Sequence, residues 1–384
     1  MKMSKFLEHY EKLEKAVSKL PKPLQQPILN EINPLKDLFL RQRPPRVLLL
    51  GDPTVSRGAL VNALFGAPVA SESGEEDTGI RWEQFDNSGQ GSLRLLDGRA
   101  PHPVDVVRGV LAGEKADIVL CVCAEGTSAE ELAPHLDQAA RVVDPRDKGA
   151  LIGVLVTADV ANASEARQRF HGKLHERIEL STHLIRTLAV RLDVRFRLDG
   201  TIDRTRDFRE LVHRLAEVMT QEVPLQAKLE LARLSGVRTV QSEIAAIVVR
   251  SFTAICGAIG AQPIPLADFP ILTSLQAMMV ASVIYISGQR LSFNMGAKFL
   301  FALGANFGIG MACREGARAA AKLLPGWGNA VSGAVAGAAT YAIGRSAIAF
   351  FIEGVSLEAA RRVFKRHKEA KDAPRKIEEK TSEQ

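Results

Sequence analysis

The sequence predicts an α/β protein with a doubly wound, mostly parallel β-sheet, followed by an all-α region rich in glycine. Three observations support this prediction. The chain has 384 residues, which at roughly 150 residues per domain suggests two or three domains. Short apolar runs alternate with helix-like segments from residue 46 to about residue 222, the pattern of a sheet covered by helices. Beyond about residue 236, charged residues become rare and glycines frequent.

Residues 1–45 are expected to form a helical arm. Apolar residues recur at spacings of one, three and four between Phe6 and Leu20, as on one face of an amphipathic helix. Prolines at positions 21, 23 and 27 interrupt this pattern, and Pro44 and Pro45 mark a boundary. We expect this arm to dock on the rest of the protein.

The segment 46–222 is predicted to hold the sheet. Four apolar runs are strand candidates, at 46–50, 92–96, 117–123 and 151–156. Helical stretches are expected near 58–66, 103–113, 129–142 and 163–190, with a closing helix around 208–218. This alternation predicts parallel strands joined by helical crossovers.

The segment 236–355 is predicted to be an all-α domain, and the tail 356–384 to be basic. Only eight of the 102 residues from 251 to 352 are charged. The uncharged runs 269–289 and 323–344 have 21 and 22 residues, enough to cross a hydrocarbon core. Gly333 and Gly337 have the small-residue spacing of closely packed membrane helices. A soluble bundle with fully buried hairpins fits equally, since glycine, alanine and proline dilute or break these runs.

The clearest local signal follows the first strand candidate. A phosphate-binding P-loop has the pattern Gly-x4-Gly-Lys-Ser/Thr between a strand and a helix, and its hydroxyl binds Mg²⁺. Here Gly51 matches, Ser56 replaces the second glycine, Arg57 replaces the lysine and Gly58 replaces the hydroxyl residue. The candidate nucleotide-binding residues are therefore those of a degenerate loop: Gly51, Asp52, Pro53, Thr54, Val55, Ser56, Arg57, Gly58 and Ala59.

With its flanking strand and the ending Asn-Ala-Leu-Phe-Gly at 62–66, this segment resembles the G domain of Era-like bacterial GTPases, in the TrmE/Era/septin class. The resemblance covers 46–222 and implies a P-loop NTPase-like fold. It also implies that Thr78 is the switch threonine and that Asp97 holds Mg²⁺ through water. The guanine-reading loop would lie at Thr157 and Asp159, but its lysine is missing and Val160 stands where its carboxylate belongs.

The resemblance therefore supports the fold more than the activity. We expect no catalytic residue to be retained, and GTP with Mg²⁺ to bind weakly or not at all. Gly58 removes a Mg²⁺ ligand, and Ala100 replaces the glycine that senses the γ-phosphate in the family. Hydrolysis should then be negligible, and any residual binding should not select guanine.

The region of about 240–355 resembles an uncharacterised bacterial helical domain found behind Era-like G domains and in some inner-membrane proteins. The similarity lies in 259–268, in Leu272, Gln276 and Met278, and in 340–345. It implies an association with membranes and no particular mechanism.

Other chemistry is not expected. His171 and His175 are four residues apart on a predicted helix, but they lack the His-Glu-x-x-His order and are interpreted as surface residues, so we expect no metal site. Cys121 and Cys123 would point the same way on a strand and are too poorly aimed for a disulfide. Asp268 is interpreted as a helix N-cap.

Charge and the chain's beginning indicate its location. The first eight residues are too charged for a secretory signal peptide. Residues 361–384 hold nine lysines and arginines against five acids, so this tail supplies +4 of the net charge of +6. A broad nucleic-acid surface is therefore not expected, whereas the tail could contact anionic lipid. We expect the protein at the cytoplasmic face of a bacterial inner membrane or, alternatively, in the cytoplasm.

Three hypotheses of function remain open. The protein is a membrane-associated pseudo-GTPase that acts as a scaffold or regulator, for example of a partner GTPase or by self-association. Alternatively it is a functional GTP-binding protein with variant motifs. In the third hypothesis it is a membrane-remodelling or pore-like protein that the G domain regulates.

Overall fold

The computed structural model describes residues 22–70, 80–87, 91–144, 149–192, 208–261, 268–303 and 328–369. These residues form two compact units. An α/β unit extends over Gln42–Val237, and a helical unit combines the helix before Arg41 with the described residues from Arg238 onward.

The α/β unit alternates strands and helices. Its strands are β1 Arg46–Gly51, β2 Glu83–Asn87, β3 Gly91–Asp97, β4 Ile118–Ala124, β5 Ala150–Val156 and β6 Leu184–Val190. The helical unit begins with α1 Lys22–Phe39, and the helices of the α/β unit are then α2 Arg57–Phe65, α3 Val104–Gly113, α4 Ala129–Val142, α5 Ser164–His175, α6 Ile178–Ser181, α7 Phe208–Glu222 and α8 Leu225–Ser235.

The strands form one six-stranded sheet in the order β2-β3-β1-β4-β5-β6. The pair β2–β3 is antiparallel, and every other pair is parallel. The doubly wound, mostly parallel sheet predicted from the sequence is therefore confirmed.

Helices cover both faces of this sheet. Val47 and Leu49 of β1 pack in one apolar cluster with residues of α2, α7 and α8. Leu48 and Leu50 pack in a second cluster with residues of α3, α4 and α5. Burial on both faces explains why β1, β4 and β5 are continuous apolar runs. Cys121 and Cys123 of β4 both lie in the second cluster, so their side chains point to the same face of the sheet, as expected from their spacing. Both are free thiols.

The helix predicted over 163–190 is wrong in its second half. The structure has α5 up to His175, the short α6, and then strand β6. This strand carries exposed Ile185 and Arg186 because it lies at the sheet edge, so its sequence lacks the apolar run of a central strand. The opposite edge strand, β2, was also absent from the four candidates, since its sequence is Glu-Gln-Phe-Asp-Asn.

The α/β unit continues past residue 222 to Val237. Helix α8 packs on β3 through Leu234, which is 2% exposed. The Glu230 carboxylate accepts a hydrogen bond of 2.8 Å from the backbone N–H of Ser92. A Cβ atom on Gly91 would lie 2.9 Å from the Glu230 carbonyl oxygen, so α8 can approach β3 closely only beside a glycine.

The described helices of the second unit are α1 together with α9 Arg238–Gly260, α10 Asp268–Ile286, α11 Phe293–Ala302, α12 Gly328–Phe351 and α13 Leu357–Glu369. Asp268 is the first residue of α10, so a helix does begin where it was placed from the sequence. The run predicted as a possible span at 269–289 falls on this helix, whose described apolar part, Leu272–Ile286, is shorter than a span.

Glycines let α9 and α12 approach each other. A Cβ atom on Gly333 would lie 2.6 Å from the carbonyl oxygen of Gly257, and one on Gly337 would lie 3.6 Å from the Gly257 Cα. Near the other end of the contact, Gly344 faces the side chain of Val249. The two helices therefore pack backbone against backbone along a row of small residues.

Two helices of the described residues are long and apolar enough to cross a membrane, Arg238–Gly260 and Gly333–Phe351. In each of them, 56% of the apolar window is buried within the protein. Core helices of soluble proteins reach the same length and hydropathy, so membrane insertion stays a prediction. Between α10 and α12 lies a buried polar contact, in which Gln276 Nε2 donates to Thr340 Oγ1 at 3.1 Å.

Candidate functional site

The candidate site lies where the parallel strands end. Strand β1 has β3 on one side and β4 on the other, so the strand order reverses at β1. In doubly wound sheets, ligands bind at the carboxyl ends of the strands at such a reversal. Asp97 is the last residue of β3, and the loops after β1, β4 and β5 carry Asp52, Thr127 and Thr157 respectively.

The backbone conformation and the close neighbours of Gly51 leave no room for a side chain at this position. Its φ angle is +96°, and a Cβ atom there would lie 2.3 Å from the carbonyl oxygen of Val122 on β4. The next residue, Asp52, donates its backbone N–H to that same oxygen at 2.9 Å. The first P-loop glycine is thus required by the contact between the loop and β4.

The Asp52 side chain ties the loop to the end of β4. One carboxylate oxygen accepts from the backbone N–H of Thr54 at 2.8 Å and from its hydroxyl at 2.6 Å. The other accepts from the Ala124 N–H at 3.1 Å and the Thr127 hydroxyl at 2.6 Å. Burial raises the pKa of Asp52, but these hydrogen bonds outweigh it and hold the pKa below its ordinary value. No sequence motif pointed to Thr127.

The residues that depart from the P-loop pattern are engaged in local contacts. Ser56 is the N-cap of α2, and its hydroxyl accepts from the Ala59 N–H at 3.2 Å. Arg57 donates to the Glu83 carboxylate of β2 at 3.1 Å. Gly58 is buried in the first turn of α2. An N-cap serine is favourable because it satisfies an N–H group of the first turn, the group that a P-loop presents to phosphate.

Arg99 is the residue that sequence reasoning missed. Its side chain is only 3% exposed. The Nε and Nη2 atoms donate to the two carboxylate oxygens of Asp97 at 2.9 Å and 2.7 Å. The Nη1 atom donates to the carbonyl oxygens of Asp52 at 3.1 Å and Val55 at 2.6 Å. One guanidinium therefore holds the β1 loop and the β3 carboxylate together, using the fork geometry that lysine lacks.

This arrangement determines the state of Asp97. Burial raises the pKa of the Asp97 carboxyl, whereas the hydrogen bonds and charge of Arg99 lower it, with a smaller contribution from the charge of Arg57. The net result is a pKa below the ordinary value. Both Asp97 oxygens already accept from a cation, and Gly58 offers no hydroxyl. These residues fit Mg²⁺ poorly, because this ion is usually held by one or two carboxylates together with substrate phosphates and the Asp97 carboxylate is paired with Arg99.

The polar side chains of the candidate base-reading loop, Thr157 and Asp159, are also hydrogen-bonded to other groups of the protein. The buried Thr157 hydroxyl donates to the Glu125 carboxylate and accepts from the Asp159 N–H at 3.0 Å. The exposed Asp159 carboxylate accepts from the Asn162 side chain at 2.7 Å and from the Asn162 N–H at 3.3 Å. These hydrogen bonds hold the pKa of Asp159 below its ordinary value. The Asp159 carboxylate thus stabilises the turn from Asp159 to Asn162. Thr78 lies outside the described residues.

Comparisons with known proteins bear on the fold alone. No protein-family model matches the chain, and no curated protein matches it. Among solved structures, the chain is similar to one described as showing that dimerisation is important for the GTPase activity of the chloroplast translocon components atToc33 and psToc159. The identity is 16% and the TM-score 0.36, over 53% of this chain and 92% of that one.

Two structures of Era are similar over a comparable part of the chain. Era in complex with MgGDPNP and a 16S ribosomal RNA segment gives 15% identity and a TM-score of 0.31, over 56% of this chain and 68% of that one. Aquifex aeolicus Era Y63A bound to GDP·AlF4⁻ gives 14% identity and a TM-score of 0.31, over 58% and 69%. These similarities are too distant to carry an argument. By its own strand order, the unit Gln42–Val237 is a doubly wound α/β unit, and the loop between β1 and α2 has the length of a P-loop.

Proposed function

We propose that this protein is a pseudo-GTPase: a G-domain-like unit that does not hydrolyse GTP and acts as a scaffold or regulator at a membrane surface. The observation that carries the proposal is the buried Arg99 guanidinium, bonded at once to Asp97 and to the carbonyl groups of the β1 loop. It occupies the carboxylate that an active G domain would use for Mg²⁺.

The absence of GTP hydrolysis is expected from what phosphoryl transfer needs. The protein's contribution to this reaction is almost entirely positioning and charge stabilisation by Mg²⁺, a lysine and loop N–H groups. Here Asp97 is paired with Arg99, Arg57 is paired with Glu83, and Gly58 supplies no hydroxyl. The groups that would bind Mg²⁺ and the cation that would take the place of the lysine are therefore missing or already engaged within the protein.

The groups that would recognise a guanine base are missing as well. A guanine-reading site depends on a carboxylate that accepts two ring N–H groups, and Val160 has none. Asp159 uses its oxygens on Asn162. Strong selection between bases requires such hydrogen bonds, so we expect GTP and ATP to compete equally for any residual binding.

The membrane part of the proposal is supported by the helical unit. Its α9 and α12 are long, apolar and packed through glycines, as membrane helices are. Helix α13 adds a cationic face, on which Arg362, Lys365 and Arg366 are exposed while Ala360 and Phe364 are buried. Clustered cations next to an apolar region favour an anionic lipid surface.

The test is a titration of the purified full-length protein with a fluorescent GTP analogue, with Mg²⁺ and with EDTA instead. We expect no saturable binding with a Kd below about 1 mM and no difference between the two conditions. Phosphate release is measured in parallel with Arg57→Ala, so that any turnover surviving in this variant is assigned to a contaminant. Mg²⁺-dependent binding near 1 μM, with turnover lost in Arg57→Ala, would instead establish a working GTPase with variant motifs.

A further inference from the structure

Two histidines of α5 face each other on the flank of the α/β unit, away from the loops described above. His171 and His175 are four residues apart, and their Nε2 atoms are 3.1 Å apart. Their ring centroids are 4.5 Å apart with the ring planes at 80°. Residues at this spacing lie on one face of a helix, and here the two rings meet there with their Nε2 atoms at hydrogen-bond distance.

The second nitrogen of each ring is held by a hydroxyl group. His171 Nδ1 is 2.8 Å from Thr187 Oγ1 on β6, and His175 Nδ1 is 2.7 Å from Ser181 Oγ at the end of α6. When an Nδ1–H group donates to its hydroxyl partner, the ring presents the lone pair of its Nε2. In the hydrogen bond between the two rings one Nε2 carries a proton, and a metal ion would displace that proton. Metal-binding histidines are oriented in the same way, by a hydrogen bond from the nitrogen that does not bind the metal.

We propose that His171 and His175 form a binding site for a divalent transition-metal ion such as Zn²⁺, Ni²⁺ or Cu²⁺. Two imidazole nitrogens at about 2.0–2.1 Å from one ion are roughly 2.9 Å apart at a right angle and roughly 3.4 Å apart at the tetrahedral angle. The observed 3.1 Å lies between these values. Imidazole suits these ions, whereas Mg²⁺ and Ca²⁺ take oxygen ligands.

Water completes the coordination in this site. Among the residues that the structure describes, no group of three or more metal-ligating side chains occurs. The nearest carboxylate in sequence, Glu176, pairs with Lys173 at 2.8 Å. His175 is exposed and His171 is half-buried, so solvent reaches the ion. Through its two hydroxyl partners the site links α5 to β6 and α6.

The experiment is isothermal titration of the full-length protein, prepared without an affinity tag, with ZnCl₂, NiCl₂ or CuCl₂, and with MgCl₂ as the negative control. We expect one ion to bind per chain, and His171→Gln and His175→Gln each to weaken binding at least about tenfold. The matched control is His135→Gln on α4, which should bind like the wild type. Electron paramagnetic resonance of the Cu²⁺ complex should show coupling to two nitrogens, reduced to one in His175→Gln.

Two results would overturn the proposal. One is wild-type protein that takes up none of the three ions at about 1 mM. The other is an affinity and a copper spectrum that are the same in His175→Gln as in the wild type, which would place the ion elsewhere. Because His175 is exposed, this variant is expected to keep the fold, and its circular dichroism spectrum checks that it does.

Discussion

At the scale of single residues, the candidate site contains a largely buried ion pair between Arg99 and Asp97. The two side chains are 3% and 14% exposed. Breaking a buried ion pair by removing one partner typically costs about 3–5 kcal/mol, because the remaining charge is left without compensation. Removing either Arg99 or Asp97 should therefore destabilise the fold.

The lowered pKa values of two carboxyl groups predict how the free energy of unfolding depends on pH. Asp52 and Asp97 have folded pKa values below the ordinary value, which is about 3.9 in an unfolded chain. Between the folded and unfolded values the unfolded state binds more protons, so stability rises with pH in that window. Their contribution is complete above about pH 5, and we expect the free energy of unfolding to fall as the pH drops below about 4.

Urea unfolding of the α/β unit, followed by Trp82 fluorescence in a Trp327→Phe background, measures this effect. Asp97→Asn should lower the free energy of unfolding by about 3–5 kcal/mol at pH 7 and should make its fall below pH 4 shallower. The exposed Asp105→Asn in the first turn of α3 is the control and should cost at most about 1 kcal/mol. Equal effects of the two variants would contradict the prediction.

At the scale of elements, the contact between α9 and α12 depends on glycine at the crossing. A methyl group at Gly333 would lie 2.6 Å from the Gly257 carbonyl oxygen, so the helices must separate to accept it. We expect Gly333→Ala to destabilise the helical unit by about 1–3 kcal/mol. Gly109→Ala on α3 has nothing within 4 Å of the added atom and should stabilise its helix by up to about 1 kcal/mol.

Thermal unfolding of the two glycine variants, followed by circular dichroism, distinguishes a steric effect from helix propensity. The opposite signs are the result to look for, since both changes add one methyl group to a helix. If Gly333→Ala were as stable as the wild type, α9 and α12 would not pack in the manner described.

Which elements could be predicted from sequence follows from their burial. The central strands β1, β4 and β5 are covered on both faces, so their sequences are uninterrupted apolar runs that a pattern reveals. The edge strands β2 and β6 carry charged residues and show little alternation of apolar and polar residues, so they were not predicted from the sequence. For the site, spacing located the β1 loop, but the role of Arg99 depends on β3 lying beside β1, a contact that no local motif encodes.

At the scale of the whole molecule, the division into two units predicts how its parts fractionate. The α/β unit ends at Val237, and Leu234 is buried in its core. A chain limited to Gln42–Val237 should therefore stay in the supernatant, and a chain cut before α8 should aggregate because β3 loses its cover. The full-length protein should sediment with membranes and resist carbonate washing.

This prediction is checked by cell fractionation of the three chains, with flotation on vesicles of anionic and of neutral lipid as a second measurement. A charge reversal on α13, Lys365→Glu with Arg366→Glu, tests the electrostatic part and should reduce flotation on the anionic vesicles. Full-length protein that purifies without detergent as a monomer would favour the buried soluble bundle.

The Arg99 contact also predicts which combinations of substitutions could give this chain a nucleotide site. Changing Ser56 to glycine, Arg57 to lysine and Gly58 to serine would rebuild the loop pattern, yet Arg99 would still hold Asp97 and the loop carbonyl groups. We expect this triple variant to bind Mg²⁺–GTP no better than the wild type, and Arg99→Ala alone to gain nothing. Binding should appear only when all four changes are combined, as contacting residues are not additive. Changes to the loop should therefore confer nucleotide binding only in a chain that has also lost Arg99, and each partial set of changes should have no effect on binding.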